Sequence, residues 1–303
     1  MSQNVLLTGG SGFIGNYLTN ILIGAGYSVS VLSRSDKENT SEITYYKWDL
    51  NKNYIDENAV LNADFIIHLA GEGIVEKRWT EKRKKAILQS RTKPIDLIYS
   101  VLEKHDKKLN GFVSASAVGI YGAVTSHKIC TEETPPANDF LGTTCQIWEK
   151  ASDKIENLGI RTVKIRTAIV LGKDEGFLKK INPGFKSGFG AVLGTGKQYL
   201  PWIHVEDLCQ IYCKAIADNK MHGPYNAAVT DNTTNSRFSK ILAALYGYAI
   251  WLPKIPSFLL RIVLGEMSEA ILTGQRVSSE KIQKTGFEFQ FTDLEKALIA
   301  SIN

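Results

Sequence analysis

The stretch Thr8-Gly9-Gly10-Ser11-Gly12-Phe13-Ile14-Gly15 follows an apolar run, Asn4-Val5-Leu6-Leu7, near the start of the chain. Four glycines in eight residues are costly to order, because glycine loses more backbone freedom on folding than any other residue. A strand that ends in a glycine turn and opens a helix suits a phosphate, since the first amides of the helix lack partners and its dipole favours negative charge. The spacing Gly-x2-Gly-x2-Gly in this context predicts a dinucleotide-binding βαβ unit.

Each glycine of this loop has a separate expected role. Gly9 makes the tight turn, Gly12 lets the main chain approach a pyrophosphate, and Gly15 lets the helix pack closely. We assign these glycines to the cofactor, together with Phe13 and Ile14 at the start of the helix. A plain turn without a ligand is the alternative, and the flanking strand and helix favour the dinucleotide.

The end of the second predicted strand indicates which dinucleotide binds. A carboxylate there usually marks NAD, whereas an arginine nearby accommodates the 2′-phosphate of NADP. Here the strand ends with Ser33 and Arg34, and Asp36 follows two residues later. A guanidinium can grip a phosphate with two hydrogen bonds, so we predict NADP, with NAD less favoured. A solvated surface arginine is the alternative interpretation of Arg34.

Short apolar runs alternate with longer amphipathic segments through the first two-thirds of the 303 residues. Apolar strands separated by helices favour a parallel sheet that is covered on both faces. The sequence therefore predicts an α/β fold of the Rossmann type, with a doubly wound parallel sheet. Strands are predicted at 4–8, 28–33, 43–48, 64–69, 111–116 and 161–166, and helices near 13–25, 51–60, 80–104 and 142–157.

The pattern changes after Gly172, which we interpret as the end of the Rossmann domain (1–172). A glycine-rich loop follows at 183–203, and parts of 200–230 are expected to complete the sheet. The remainder, 173–303, is predicted to form a smaller C-terminal lobe on the substrate side. Its predicted helices lie at 207–218, 234–246 and 256–272.

Two further strand ends are expected to meet the cofactor. Asp49-Leu50 closes the third strand, where an adenine-facing carboxylate would fall, and Leu69-Ala70-Gly71 closes the fourth, where small residues leave room for ribose and pyrophosphate. Both lie at carboxyl ends of strands, the edge at which such sheets bind ligands.

The bulk composition is that of a globular protein, with 44% hydrophobic residues and a net charge of +5. The cysteines are too few and irregular for a disulfide framework or a zinc site, so we expect no metal and a reducing, cytoplasmic location. No targeting segment is evident, and the apolar stretch 258–264 is too short to span a bilayer, so no membrane partner is expected. The four cysteines are Cys130, Cys145, Cys209 and Cys213.

Several of these motifs together resemble the extended short-chain dehydrogenase/reductase superfamily, in its order along the chain. The matching motifs are Thr8-Gly-x2-Gly-x2-Gly15, Asp49-Leu50, His68-Leu69-Ala70-Gly71, Ser114-Ala115-Ser116, Tyr121-Gly122 and Trp202-Ile203-His204-Val205-Glu206-Asp207-Leu208. A narrower resemblance, to an atypical branch labelled "epimerase family protein", covers nearly the whole chain. It rests on Ala70-Gly71-Glu72, Arg78-Trp79, Ser90-Arg91, Trp148-Glu149-Lys150-Ala151, Val170-Leu171-Gly172, Gly265-Glu266-Met267, Gly274-Gln275-Arg276-Val277 and Gly286-Phe287. The resemblance implies NADP binding, a cofactor contact at Ile169 and a C-terminal domain over 250–303.

The catalytic pair of the wider superfamily is missing. Its members use Tyr-x3-Lys on one helix face, where the lysine lowers the tyrosine pKa so that a phenolate can take a proton from a substrate hydroxyl. The matching helix has Cys145 and Glu149, and none of the 12 tyrosines has a lysine four residues later. A carboxylate one turn away raises a thiol pKa, so we expect Cys145 to be a packed helix residue rather than a base.

Three other residues are candidates for the chemistry. Ser116, at the family's serine position, could orient a substrate oxygen, and Glu72 could accept a ribose hydroxyl or act as a base. Tyr121, in a loop over the same edge, could donate a proton. The structural alternatives are a strand-end hydroxyl, a capping or surface carboxylate, and a packed aromatic ring.

Two functions remain open from the sequence. One is an NADP-dependent oxidoreductase or epimerase acting on a hydroxyl or carbonyl compound, with nucleotide sugars among the candidate substrates, and the other is an NADP(H)-binding redox sensor without turnover. The basic run 76–85 is interpreted as a solvated helix face rather than a nucleic-acid site, because glutamates alternate with its cations. Arg78 or Arg91 could turn inward to a phosphate. We expect a small-molecule substrate and a monomer or homodimer.

Overall fold

The computed structural model describes residues 2–173 and 175–302. Eight strands of this part of the chain form one sheet: β1 (Asn4–Thr8), β2 (Ser28–Ser33), β3 (Ile43–Asp49), β4 (Tyr54–Ile55), β5 (Phe65–His68), β6 (Gly111–Ala117), β8 (Thr162–Thr167) and β11 (Gly223–Ala227). Their order across the sheet is β11-β8-β6-β5-β1-β2-β3-β4. Neighbours are parallel except at the edge, where β4 runs antiparallel to β3.

The strand order reverses beside β1, and this reversal opens a crevice at the carboxyl edge of the sheet. The chain first moves outward from β1 through β2 to β3, and then returns to the other side of β1 with β5. Such a switch point is where doubly wound sheets bind dinucleotides. The sheet confirms the predicted Rossmann-type fold.

Helices cover both faces of the sheet, as the alternation of side chains along β1 requires. Val5 and Leu7 join the core on one face, and Leu6 joins the core on the other. Consecutive residues of a strand point to opposite faces, so an entirely apolar strand needs cover on both. The covering helices are α1 (Phe13–Gly24) and α6 (Val205–Ala217) on the first face, and α2 (Glu57–Leu61), α3 (Glu81–Lys104) and α4 (Phe140–Glu156) on the second.

One predicted helix, 51–60, was wrong in its first half. Residues 51–53 form a turn, β4 follows, and only Glu57–Leu61 is helical. The carboxylate of Asp49 accepts hydrogen bonds from the amides of Asn51 (2.9 Å) and Lys52 (3.3 Å), and Asn53 has a left-handed φ of 50°. This local turn competes with a helix start, because short polar side chains offer the backbone other partners.

A third apolar cluster, which includes Trp202 and Phe238, joins residues between Leu171 and Leu298. Buried Asp207 fastens the last segment to α6, since its carboxylate accepts from the amides of Gln290 (2.8 Å) and Phe291 (3.0 Å). The remaining strands are β7 (Ile129–Cys130), β9 (Ile169–Leu171), β10 (Trp202–His204) and β12 (Arg276–Val277); β7 pairs with β12 and β9 with β10. The remaining helices are α5 (Gly176–Lys186), α7 (Asn235–Leu245), α8 (Ser257–Leu264), α9 (Glu269–Leu272), α10 (Glu280–Gln283) and α11 (Leu294–Ile302).

The sequence missed α5, and it extended the helix at 256–272 too far. The expected loop at 183–203 begins inside α5, which tolerates Pro183 near its end. The long helix is broken at Gly265, whose φ of 61° an α-helix does not allow, into α8, a 3₁₀ turn and α9.

Candidate active site

The glycine loop forms a tight cradle at the end of β1. Gly9 has a φ of 72°, and a Cβ there would lie 2.9 Å from the amide nitrogen of Ala70. A Cβ at Gly15 would lie 2.3 Å from the carbonyl oxygen of Gly9. No side chain caps α1 at Gly12, and its first turn holds no acidic residue. The loop therefore leaves helix amides free to bind an anion.

The end of β2 lies beside this cradle. Thr8 pairs with Leu32, so the residues that follow each strand leave the sheet side by side. The carboxylate of Asp36 accepts a 2.9 Å hydrogen bond from Lys47, which lowers the Asp36 pKa. Arg34 is exposed and has no ion-pair partner among the residues described. A cavity of about 220 Å³ next to the loop is lined by Gly10, Ser11, Asn16, Thr19, Asn20, Val31, Lys37, Ile43 and Tyr45.

A buried histidine supports the glycine cradle through hydrogen bonds. The Nε2 of His68 lies 3.1 Å from the carbonyl oxygen of Arg91, which only accepts, so Nε2 carries the proton. Nδ1 then accepts from the hydroxyl of Thr8 at 2.7 Å, and the same hydroxyl accepts from the amide of Ala70 at 3.2 Å. These hydrogen bonds link β1, β5 and α3, and they fix the backbone of Ala70 against Gly9.

The burial of His68 predicts that the protein loses stability in acid. Burial lowers its pKa from 6.5 to about 4. Between these two pH values, His68 therefore binds a proton in the unfolded chain but not in the folded chain. The free energy of unfolding should therefore fall as pH drops from about 6.5 to about 4, by about 3 kcal/mol for this residue. The free energy of unfolding of His68→Asn, measured in urea at several pH values, should depend less steeply on pH than that of the wild type. The variant His222→Asn, at an exposed histidine, should match the wild type. Equal slopes for all three proteins would contradict the assignment.

The other predicted cofactor residues lie in three segments: the end of β3, the residues after β5, and the start of β9. Leu69 and Ala70 touch Gly9, and Gly71 follows them with the side chain of Arg91 behind it. Asp49 is the last residue of β3 and Leu50 follows it; the Asp49 carboxylate also supports the turn after the strand. The Ile169 segment runs beside α1, since the ring of Phe13 would meet a Cβ at Gly172 at 2.6 Å. These cofactor assignments stay predictions.

Cys145 and Glu149 stand at the positions of the missing Tyr-x3-Lys pair, and neither is an activated nucleophile. Cys145 is buried, and burial first and Glu149 second raise its pKa to about 12. Glu149 forms a two-pronged ion pair with Arg166, in which both oxygen–nitrogen distances are 2.9 Å. A protonated thiol and a paired carboxylate cannot reproduce a phenolate beside an ammonium group.

Glu149 and Arg166 stand at the centre of a nearly buried polar network at the carboxyl edge. Their side chains are 12% and 8% exposed. Ser116 donates to the nearer oxygen of Glu149 at 2.7 Å. Arg166 donates to the hydroxyl of Tyr121 at 3.1 Å, and that hydroxyl donates to the amide oxygen of Asn226 at 2.6 Å. The network joins the ends of β6, β8 and β11 through α4.

The hydroxyl of Tyr121 is engaged on both sides in this network. Burial raises its pKa to about 12, although Arg166 opposes the shift. It is therefore a weak acid at neutral pH, and its predicted role as a proton donor stays untested. Packing and hydrogen bonding by themselves account for its position.

Glu72 lies outside this network. Its carboxylate forms an ion pair with Arg83, which also donates to the carbonyl of Gly73 at 2.7 Å. Arg91, and not Arg78, turns inward: it donates to the carbonyl of Glu72 at 3.0 Å and lies 5.0 Å from the ring centre of Trp148. Arg78 instead donates to the carbonyl of Ile262 at 3.4 Å. The loop after Gly71 is thus held by two arginines of α3.

The sequence missed Arg166, Asn226 and His68 as members of the site. Each lies at or next to the carboxyl end of a strand of the parallel sheet, and that position was the signal available. No group of three or more potential metal ligands occurs within residues 2–173 and 175–302.

A parallel sheet with a glycine cradle at its switch point, and a polar cluster at the same edge, defines a dinucleotide-binding protein of the short-chain dehydrogenase/reductase type. Models of two families match this chain: the NAD dependent epimerase/dehydratase family over residues 5–228, and a domain of unknown function, DUF1731, over residues 255–300. The chain belongs to the NAD dependent epimerase/dehydratase family, in its atypical extended branch with that C-terminal domain. The resemblance stated from the sequence is confirmed.

Individual relatives agree with this membership. Epimerase family protein YfhF of Bacillus subtilis (strain 168) is 38% identical over 297 residues, 98% of this chain and 97% of its own. The structure of human epimerase family protein SDR39U1 (isoform 2) with NADPH has a TM-score of 0.85 at 28% identity and covers 99% of both chains. A UDP-glucose 4-epimerase from Thermus thermophilus, solved with NAD, has a TM-score of 0.76 at 17% identity, covering 99% of this chain and 98% of its own, and shares the fold.

Proposed function

We propose that this chain binds NADPH and transfers hydride between its nicotinamide and a carbonyl or hydroxyl carbon. The cradle fits a dinucleotide, because side chains are excluded at Gly9 and Gly15 and helix amides are left free. Residues 9–15 would hold the pyrophosphate, and Asp49, Leu50, Leu69, Ala70, Gly71 and Ile169 would line the rest. When bound, the cofactor supplies the hydride.

Arg34 supports NADPH over NADH. Its guanidinium has no ion-pair partner within residues 2–173 and 175–302, whereas Asp36, the carboxylate that would favour a ribose hydroxyl, forms a surface ion pair with Lys47. Lys37 lines the neighbouring cavity and adds positive charge. The human relative was solved with NADPH, and more distant relatives with NAD. We therefore assign the 2′-phosphate to Arg34, with Ser33 shaping the end of the strand.

Arg34→Ala should weaken NADPH binding about thirtyfold, the loss expected for about 2 kcal/mol from a charged hydrogen bond. NADH lacks the 2′-phosphate, so its affinity should change less than threefold. Fluorescence titration with both cofactors measures the two changes in affinity. The variant Lys52→Gln, at an exposed lysine, serves as the charge-matched control. Equal losses for both cofactors would remove the assignment.

Ser116 is the residue proposed to hold the substrate oxygen. Because its proton is directed to Glu149 at 2.7 Å, its lone pairs are left to accept a hydrogen bond from a substrate hydroxyl. A proton leaving that hydroxyl could pass through Ser116 to Glu149, whose charge Arg166 holds in place. This contact is the observation that carries the proposed chemistry.

Ser116→Ala should reduce substrate-dependent oxidation of NADPH about thirtyfold to a hundredfold, and should leave NADPH affinity unchanged. The purified protein is tested with a panel of sugar nucleotides, quinones and carbonyl compounds, followed at the NADPH absorbance. Ser114→Ala is the matched control, since Ser114 is buried on the same strand but donates to the carbonyl of Ala115. Full activity in Ser116→Ala would place the chemistry elsewhere.

A redox sensor without turnover is the second candidate function. It is favoured by the raised pKa values of Cys145 and Tyr121, each about 12, which leave neither group ionised at neutral pH. Tight NADPH binding without oxidation by any member of the panel would support the sensor and exclude the reductase for these substrates.

A further inference from the structure

The helix α8 presents an apolar face to solvent. None of its eight residues is buried, and Ile262 and Val263 are 67% and 65% exposed. Phe258 and Leu259 lie one turn earlier, so the four side chains form one stripe along the helix. A soluble helix normally buries such a stripe, and a contiguous apolar patch marks an interaction surface.

Three exposed aromatic residues lie in segments that join the start of α8. Trp251 is 65% exposed, lies 6.0 Å from the ring of Phe189, and donates to the carbonyl of Gly188 at 2.9 Å. Tyr248 lies against Gly188 as well. The segment 188–194 continues from there to the start of α8, where the amide of Gly194 donates to Ile255. We name Phe189, Tyr248, Trp251, Phe258, Leu259, Ile262 and Val263 the apolar face.

The chain around the apolar face is cationic. The segments 176–197 and 246–265, which contain the whole face, have no acidic residue. Just outside them, Glu175 and Glu269 offset Lys179 and Arg261 at 3.6 and 3.3 Å, and Glu266 pairs with Lys84. The other cations of the two segments have no acidic partner among the residues described. All six are exposed: Lys179, Lys180, Lys186, Lys197, Lys254 and Arg261.

We propose that the apolar face docks on the surface of a membrane that contains anionic lipid. Aromatic and aliphatic side chains among lysines and arginines are what an interfacial protein needs, because the first enter the headgroup region and the second meet anionic headgroups. A second copy of the chain would bring six further cations against these six. No helix within the described residues is long and apolar enough to cross a bilayer, and a surface contact needs none. The proposal replaces the expectation of no membrane partner.

Vesicle flotation tests the proposal with the full chain. The protein should float with equimolar phosphatidylcholine and phosphatidylglycerol at low salt, should bind phosphatidylcholine alone at least tenfold more weakly, and should be released at high salt. Ile262→Asn should weaken binding about tenfold, because it removes an aliphatic side chain that would enter the lipid headgroup region. Lys254→Gln should weaken it about fivefold. The matched controls are Ile299→Asn, at an exposed isoleucine of α11, and Lys52→Gln, and both should bind as the wild type.

Three results would overturn the assignment. One is the absence of binding to anionic vesicles at low salt, and another is an equal loss of binding in Ile262→Asn and Ile299→Asn. The third is self-association without lipid that Ile262→Asn abolishes, because this would show that the apolar face binds a second copy of the chain. Unchanged thermal unfolding and NADPH binding in the variants would show that the fold is intact, so a loss of flotation would report the surface.

Discussion

Gly15→Ala is expected to weaken NADPH binding about a thousandfold. A Cβ at this position would lie 2.3 Å from the carbonyl oxygen of Gly9 and 2.6 Å from the Cα of Gly10. Both obstacles are backbone, so the loop itself must move. Two charge-assisted hydrogen bonds from displaced amides, at about 2 kcal/mol each, account for a loss of this size. The strain should also lower the free energy of unfolding by about 1–3 kcal/mol.

Gly24→Ala is the matched control for this substitution. It lies at the other end of α1, and a Cβ there would meet nothing within 4 Å. Alanine favours the helix, so this variant should be slightly more stable, by about 0.5–1 kcal/mol, and should bind NADPH normally. Calorimetric titration of both variants provides the comparison. NADPH affinity within tenfold of the wild type in Gly15→Ala would mean that the loop is not the cofactor cradle.

The cradle could be predicted from sequence because it is local. Strand, glycine loop and helix are contiguous between Asn4 and Gly24. A Cβ at Gly12 or Gly15 would meet the loop itself and one at Gly10 would meet Val31 of the next strand, whereas only the contact of Gly9 with Leu69 and Ala70 comes from a distant segment. The positions of the main strands were also predictable, because buried parallel strands are short apolar runs between turn signals. The errors at 51–60 and at 256–272 arose where polar turn residues and Gly265 stop a helix that composition favours.

The polar network could not be predicted in the same way, because its members are distant in sequence. Arg166 meets Glu149 only because β8 pairs beside β6 and α4 packs across both. Tyr121 and Asn226 are 105 residues apart, and they meet only because β11 lies at the edge of the sheet. From sequence, Glu149 was a departure from the family pattern; in the structure its partner explains how a carboxylate is tolerated there.

Glu149→Gln is expected to lower the free energy of unfolding by about 4 kcal/mol. The substitution keeps the shape and leaves Arg166 nearly buried without a counter-charge. Burial opposes the charge of Arg166, but the pair with Glu149 outweighs this and raises its pKa, so the guanidinium stays protonated. Arg166→Met leaves the carboxylate uncompensated and should cost a similar amount. Urea unfolding at pH 7 measures both.

The double variant Glu149→Leu/Arg166→Met separates the ion pair from the packing. Removing both charges should restore most of the stability, because burying an isolated charge costs more than replacing the pair with apolar groups. The surface pair Lys104–Glu57 is the control; its side chains are 62% and 39% exposed, and breaking it should cost less than about 1 kcal/mol. If the double variant is stable and still binds NADPH but no longer oxidises it with substrate, the pair serves the chemistry rather than the fold. Additive losses from the two single substitutions would instead show that the two charges do not stabilise each other.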